Sequence, residues 1–424
     1  MKVSELYPRV FIANKKETVY VRLFVEADIQ IKIQPMEAYA TPHGTPPRID
    51  EEGRYDYLCP RALGDCLYAV EYDFPVCGRY SVRIKNGDTV IYKGYMYAVD
   101  TELSGLRPFK GETHCHTNRS DGVSEPCELI LRYLGVGFDF AAITDHHRYA
   151  PSIEARDIIA PLTDLFTVFA GEEVHNKNMG YFHVVNFGGN SSVNAIIEND
   201  DEYVDGEISR IKAERSFPVG VNPDLAAYRI FISEHVKRAG GVSVLAHPFW
   251  DAYGEYNMER AELEYHLCEG VFDALELFAG NDGDGNGDNL EIALWGDLRA
   301  KGVRTPVLGA SDNHNSDAPG TRFNHNFSLV FAKSTEDIPN AIREGRCVAV
   351  KRRDDTDFLV IGEYSLVAYA RFLIREMYPT YASLTACVAD EIRDAGFVRT
   401  EMAEQLERQA REYRTRFFAE GINA

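Results

Sequence analysis

The chain has 424 residues, 45% hydrophobic and 26% charged, enough for two or three domains with real cores. Its formal net charge of −21, from 45 Lys and Arg against 66 Asp and Glu, argues against a long nucleic acid or an anionic membrane as a non-specific partner. The eight cysteines form no CxxC pair, and there is neither a signal-peptide core nor a run of 18 apolar residues, so a cytoplasmic, reduced, non-membrane protein is expected.

Residues 1–106 read as a small all-β, sandwich-like domain. VYVRLFVEADIQIKIQP and RYSVRIKNGDTVIYKGYMYAVD alternate apolar and polar residues, and Asn-Gly-Asp at 86–88 marks a hairpin. HGTPPRIDEEGR (43–54) reads as a loop. Over 107–355 the rhythm changes. Short apolar strands (FDFAAITD, LFTVFAGEEV, YFHVVNFG, GVSVLAHP, FDALELF, TPVLGASD) alternate with helical stretches such as PCELILRYLGVG and YRIFISEHVKRAGG. That alternation predicts a parallel α/β arrangement, either a barrel or an open sheet, with its site at the C-terminal strand ends. The segment 356–424 reads as helical, with Met402, Leu406, Ala410, Tyr413 and Phe417 forming one apolar face.

The chemistry-bearing residues fall at those strand ends. His114 and His116 stand at i and i+2, so on an extended backbone both face one side and Cys115 faces the other. Asp121 lies in the turn signal Ser-Asp-Gly. Asp145 and His146 follow the run FAAI, and Asp145 is placed to orient a ligand histidine. AGEEVH brings Glu172 and Glu173, one of them facing inward. His183 interrupts an apolar strand, His247 closes GVSVLAHP, and Asp312 and His314 repeat the i, i+2 spacing. Nine such groups exceed the roughly three to six protein ligands of one divalent ion, and His with carboxylate and no thiolate suits Zn, Mn or Fe.

Taken together, HCHTNRSDG, TDH, GEE, the lone His183, AHP and SDNH resemble, in order, the motifs of the polymerase and histidinol phosphatase (PHP) domain. The flanks GETHCHTNRSDG and ASDNHN most resemble its CehA/McbA-type metallohydrolases. The resemblance implies a distorted (β/α)7 barrel with two to three divalent ions. Carried over by position, it assigns His114, His116, Glu173 and Asp312 to one ion. Glu173 bridges to a second with His183 and His247, and Asp121, His146 and His314 hold a third. Many members of the family have a histidine where this chain has Asp121.

The implied activity is hydrolysis of a small phosphate mono- or diester through a metal-bridging hydroxide, with cationic help from Arg322, Arg148 or Lys177. The same centre could open a carboxylic or carbamate ester, and a metal-stabilised binding module is the non-enzymatic alternative. NDGDGNGDNLEIA (281–293) imitates the start of an EF-hand calcium loop but has Ala293 where a bidentate Glu is required, so it reads as a Gly-rich, mobile loop.

Overall fold

In the computed structural model the described residues are 2–36, 56–175, 183–252, 254–279, 286–316, 323–354 and 356–419. They form two compact units: Met1–Arg107 with Ala368–Tyr381 and Arg408–Ala424, and Pro108–Val367 with Ala382–Glu407. The loop expected at 43–54 lies outside the described residues.

The first unit carries β1 (Val3–Tyr7), β2 (Val10–Ile12), β3 (Lys15–Leu23), β4 (Ile29–Pro35), β5 (Arg61–Gly64), β6 (Leu67–Phe74), β7 (Gly78–Asn86) and β8 (Thr89–Val99). They make two four-stranded sheets, β1-β3-β6-β5 and β2-β8-β7-β4. Alternation decides which face is inside: Ile29, Ile31 and Ile33 of β4 are buried, whereas Gln30, Lys32 and Gln34 are not. The sheets meet through Phe11 stacked on Phe74 (4.2 Å between ring centroids) and Phe74 edge-on to Tyr80 (5.1 Å). The β7–β8 hairpin turns at Gly87 and Asp88, with Asn86 opposite Thr89 and Gly87 at φ 55°.

The second unit is mixed α/β. Its strands are β9 (Arg107–Glu112), β10 (Phe140–Ala142), β11 (Thr167–Phe169), β12 (Gly171–Val174), β13 (Val184–Phe187), β14 (Val242–Leu245), the short β15 (Asp251–Ala252) and β16 (Glu255–Tyr256), β17 (Ala274–Phe278), β18 (Val307–Gly309), β19 (Asn326–Ala332), β20 (Cys347–Arg352) and β21 (Phe358–Ile361). The main sheets run β11-β10-β9-β19-β20-β21 and β12-β13-β14-β17-β18. Isolated parallel bridges, Cys115 to Asn313 and His146 to Glu173, link them just past the strand ends.

The sheets depart from the all-parallel expectation. β9, β10 and β11 are parallel, as are β14, β17 and β18, but β12–β13–β14 and β19–β20–β21 pair antiparallel. Only residues 175–183 connect β12 to β13, too few for the crossover a parallel pair needs. LFTVFAGEEV, expected as one strand, divides between β11 and β12, in different sheets. Two further corrections concern helices. Residues 286–293, expected within a mobile loop, open the helix Asn286–Ala300, whose Glu291, Leu294 and Leu298 recur at helical spacing and are buried. Residues 281–285 of the calcium-like stretch lie outside the described residues. In the tail, β21 precedes the helices Tyr364–Glu376, Tyr378–Asp394 and Glu401–Phe417. The buried face of the last helix runs through Ala403, Glu407, Ala410, Arg414 and Phe417; it keeps Ala410 and Phe417 of the expected stripe, whereas Leu406 and Tyr413 are only partly buried and Met402 is exposed.

Two features of the second unit set its stability. Gly309 ends β18 where a Cβ would stand 2.6 Å from the carbonyl oxygen of Phe327 and 3.0 Å from the amide nitrogen of Val350, both backbone atoms that cannot swing aside. Gly309→Ala should cost about 1–3 kcal/mol of unfolding free energy, read by denaturant titration. Lys110 on β9 is buried. Its Nζ donates to the Val136 carbonyl (3.0 Å) and Asn324 Oδ1 (2.7 Å) and lies 4.1 Å from the Phe138 ring centroid. Burial, with Arg352 adding, pushes its pKa from 10.5 down to about 7. A depressed amine pKa makes charging cost stability: the cost is absent at high pH and complete once pH falls below the folded value. Wild type should therefore gain on the order of 2–4 kcal/mol relative to Lys110→Met between about pH 7 and about pH 10. Urea unfolding across that range checks it; a pH-independent difference refutes it.

Candidate metal centre

Past β9 the chain bends at Thr113 and is extended again around the Cys115 bridge. The Asp312 amide donates to the His114 carbonyl (3.0 Å), the His116 amide to that of Asn313 (2.9 Å), and the Thr144 amide to that of Cys115 (2.9 Å). Extended geometry sends successive side chains to opposite faces, so residues two apart share one. His114 and His116 are fully buried with their Nε2 atoms 3.1 Å apart, while Cys115 Sγ turns to the Ala142 carbonyl at 3.4 Å.

Glu173, at the end of β12, is the hub. Its fully buried carboxylate has six imidazole nitrogens around it: His146 Nδ1 (2.6 Å), His183 Nδ1 (2.7 Å), His114 Nε2 (3.4 Å), His247 Nε2 (3.4 Å), His175 Nε2 (3.5 Å) and His116 Nε2 (3.6 Å). Asp312 Oδ1 lies 3.0 Å from His116 Nε2 and 3.4 Å from His114 Nε2. On the outer side, Asp121 Oδ2 is 3.3 Å from both His146 Nε2 and His314 Nε2. Burial falls outward, from Glu173 and His116 with side chains 0% exposed, through His146 at 21%, to Asp121 at 54%. The structure thus brings together all nine expected residues. Two of them, His247 and Asp312, take positive φ (25° and 45°), a conformation that non-glycine residues hold only where surrounding contacts dictate it.

The donor set fits divalent ions. Both Glu173 oxygens, His116 Nδ1 and His247 Nδ1 are buried with no aligned hydrogen-bond partner among the described residues, although the Glu173 oxygens are crowded by nitrogens. Buried polar atoms at such distances normally share protons; here too few point the right way, and a cation satisfies several lone pairs at once. The ion-free electrostatics agree. Burial alone would raise the pKa of Glu173, but His183 and His114 hold it well below the ordinary carboxylate range. Burial likewise opposes charge on His114, yet Glu276, Glu173 and Asp312 hold its pKa well above the ordinary value. His146 is carried to about 10 by Asp121 and Glu173 against burial, whereas burial drives His183 down to about 3. Four groups of mutually close donors result: His114, His116 and Glu173; His114, His247 and Asp312; His146, Glu173, His175 and His183; and His116, Asp121, His146 and His314.

Several flanking residues sit differently from expectation. Glu172 does not face solvent: it is buried and accepts from the Val193 amide (2.6 Å), Ser192 Oγ (2.7 Å), Asn194 Nδ2 (3.0 Å) and Asn186 Nδ2 (3.1 Å), fixing the 191–194 turn. Asp145, expected to orient a histidine, accepts instead from the Thr117 amide (2.7 Å), Thr117 Oγ1 (2.6 Å) and Ser120 Oγ (2.5 Å). It braces the loop that carries Asp121. Arg148 is exposed, and Lys177 and Arg322 lie outside the described residues.

Sequence reasoning missed Glu276 and His175. Glu276 is fully buried on β17, with Oε1 2.8 Å from His114 Nδ1 and Oε2 accepting from the His247 amide at 3.3 Å. It leaves His114 Nε2 free to face the hub, as carboxylates do for metal-binding imidazoles. An acid inside the apolar run FDALELF was the available signal.

No family model and no curated protein matches the chain. Among solved structures, it is similar to a two-domain protein from Bacteroides vulgatus containing a predicted PHP-like metal-dependent phosphoesterase, at 18% identity over 64% of this chain and 71% of the other, with a TM-score of 0.45. It is also similar to a Bifidobacterium adolescentis protein assigned as a metal-dependent phosphoesterase (19% identity, 49% of this chain, 89% of the other, TM-score 0.34). A Chromobacterium violaceum amidohydrolase gives 19% identity, 49% and 88% coverage, and a TM-score of 0.34.

Glu276→Ala should weaken metal binding about 10- to 100-fold, whereas Cys115→Ser should leave it unchanged. Metal content after dialysis at graded free Zn2+ measures both; a cysteine-dependent loss would reinstate thiolate ligation.

Proposed function

We propose that this chain is a metal-dependent hydrolase of PHP type acting on a small phosphate mono- or diester. The observation that carries the reading is the Glu173 carboxylate, sealed from water, without an aligned proton donor, and ringed by six imidazoles. We read residues 107–355 as a seven-stranded barrel of β9, β10, β12, β13, β14, β17 and β18. The Cys115–Asn313 and His146–Glu173 bridges, which join the two sheets at the mouth, support that closure.

In this reading the nine ligands hold up to three divalent ions, Zn, Mn or Fe, with Asp121, His146 and His314 forming the outermost position. Bound there, such ions lower the pKa of a coordinated water and neutralise charge on the attacked group. The chain's own residues supply geometry. Glu276 fixes the ring of His114. Asp145 braces the loop bearing Asp121. The pairing of residues 114–116 with 312–313 keeps His114, His116 and Asp312 in register. Arg148, Lys177 and Arg322 remain the candidates for holding the substrate's anionic oxygens. The site resembles that of the CehA/McbA subgroup in its motifs, and we place the protein in the cytoplasm, a reading that its eight free cysteines support.

Metal-loaded protein should hydrolyse p-nitrophenyl phosphate or its bis-ester, lose that activity on chelation, and lose most of it in His116→Ala, which removes a proposed ligand. Turnover of p-nitrophenyl acetate without phosphoester turnover would replace the phosphoesterase with a carboxylic or carbamate ester hydrolase. Full metal occupancy without any turnover would point to a metal-stabilised binding module.

A further inference from the structure

We infer that His175 is a direct ligand of the ion shared by Glu173 and His183, a donor outside the nine that the motifs supply. The inference rests on the metal-centre reading and extends it by one residue. His175 follows Glu173 by two positions, so the extended end of β12 sends both side chains to the same side. Its backbone amide donates to Asn194 Oδ1 (3.2 Å), and Asn194 Nδ2 in turn donates to the Glu173 carbonyl (3.0 Å) and to Glu172 Oε2 (3.0 Å). A buried asparagine therefore ties the position of His175 to that of the hub.

The ring is confined as well as placed. His175 has a side chain 13% exposed and packs against His183 at 4.3 Å and His147 at 4.5 Å between ring centroids. Its Nε2 stands 2.7 Å from His146 Nδ1 and 3.5 Å from Glu173 Oε2, and His146 Nδ1 is 2.6 Å from that same oxygen. His146, Glu173, His175 and His183 each offer a donor atom, all within 4.8 Å of one another.

A plain hydrogen bond between His175 and His146 explains this triangle poorly. One proton cannot serve three short contacts. If His146 Nδ1 carries it, the N–H points along its aligned 2.7 Å contact to His175 Nε2, and the charged Glu173 oxygen 2.6 Å away is left without an aligned donor. If His175 carries it, the His146 lone pair faces a carboxylate at 2.6 Å. A cation bound by all three atoms removes the conflict. The consequence concerns coordination. The motif resemblance gives this ion three protein donors, Glu173, His183 and His247, the number that leaves a tetrahedral site one open position. The donors that lie together around His175 are instead Glu173, His183 and His146, so with His175 four protein atoms fill a tetrahedral set.

The test uses the full-length protein, Zn2+ and Co2+ as probes, and His147→Ala as a control that removes a ring packed on His175 but outside the donor group. His175→Ala should weaken one ion by tenfold or more in equilibrium dialysis. It should also reduce the visible Co2+ absorption as four-coordination is lost, while the melting temperature of chelator-treated protein stays at the wild-type value. His147→Ala should retain every ion. Two results overturn the inference: wild-type ion count, affinity and Co2+ spectrum in His175→Ala, or a loss of ions matched by destabilisation of the chelator-treated form, which marks a packing role. A wild-type protein that binds no ion defeats the metal-centre reading itself, and so is distinguishable from failure of His175 alone.

Discussion

Everything in the second unit is arranged around a buried carboxylate with imidazoles on all sides. Leaving Glu173 charged and unbonded in a dry interior would be prohibitively costly. The surrounding carboxylates favour the protonated forms of His114 and His146, which would offset that charge, and a divalent cation would do so more completely. The fold bears the cost of assembling the cluster through backbone ladders. Three separate segments, 113–116, 144–147 and 310–314, each just past the end of a strand, hydrogen-bond to one another or to Glu173. The clustered imidazoles and carboxylates stand at the junction of the two sheets, and that junction is made of the same segments.

Such a division explains why some flanking polar groups have no role at the hub. Glu172 and Asp145 are as buried as several ligands, but each is saturated by hydrogen bonds from nearby turns. Each fixes a loop whose neighbour carries a ligand. A satisfied carboxylate is structural and an unsatisfied one is available, and geometry separates Glu172 from Glu173 although they are adjacent in sequence.

Much of this was legible in the sequence because ionisable residues at the ends of apolar runs are conspicuous. His183 within YFHVVNF and the paired spacing of His114/His116 and Asp312/His314 lead directly to the observed assembly. Glu276 carries the same signal, an acid inside FDALELF, yet a lone acid in a strand suggests no partner until the fold brings His114 to it. His175 was hidden by its place at the edge of a loop. The antiparallel β12–β13 pair could have been foreseen from the short connection between them. Pairings such as Arg416 with Glu5, at 2.7 Å, could not, since nothing local links positions 411 residues apart.

The outward fall in burial from Glu173 to Asp121 also has a kinetic meaning. Solvent reaches the cluster from the Asp121, His146 and His314 side, where the side chains are 54%, 21% and 27% exposed. If the cluster holds the ions proposed for it, the Asp121, His146 and His314 side is the more exposed way in, so an ion at those three donors would exchange faster than one held at the sealed Glu173.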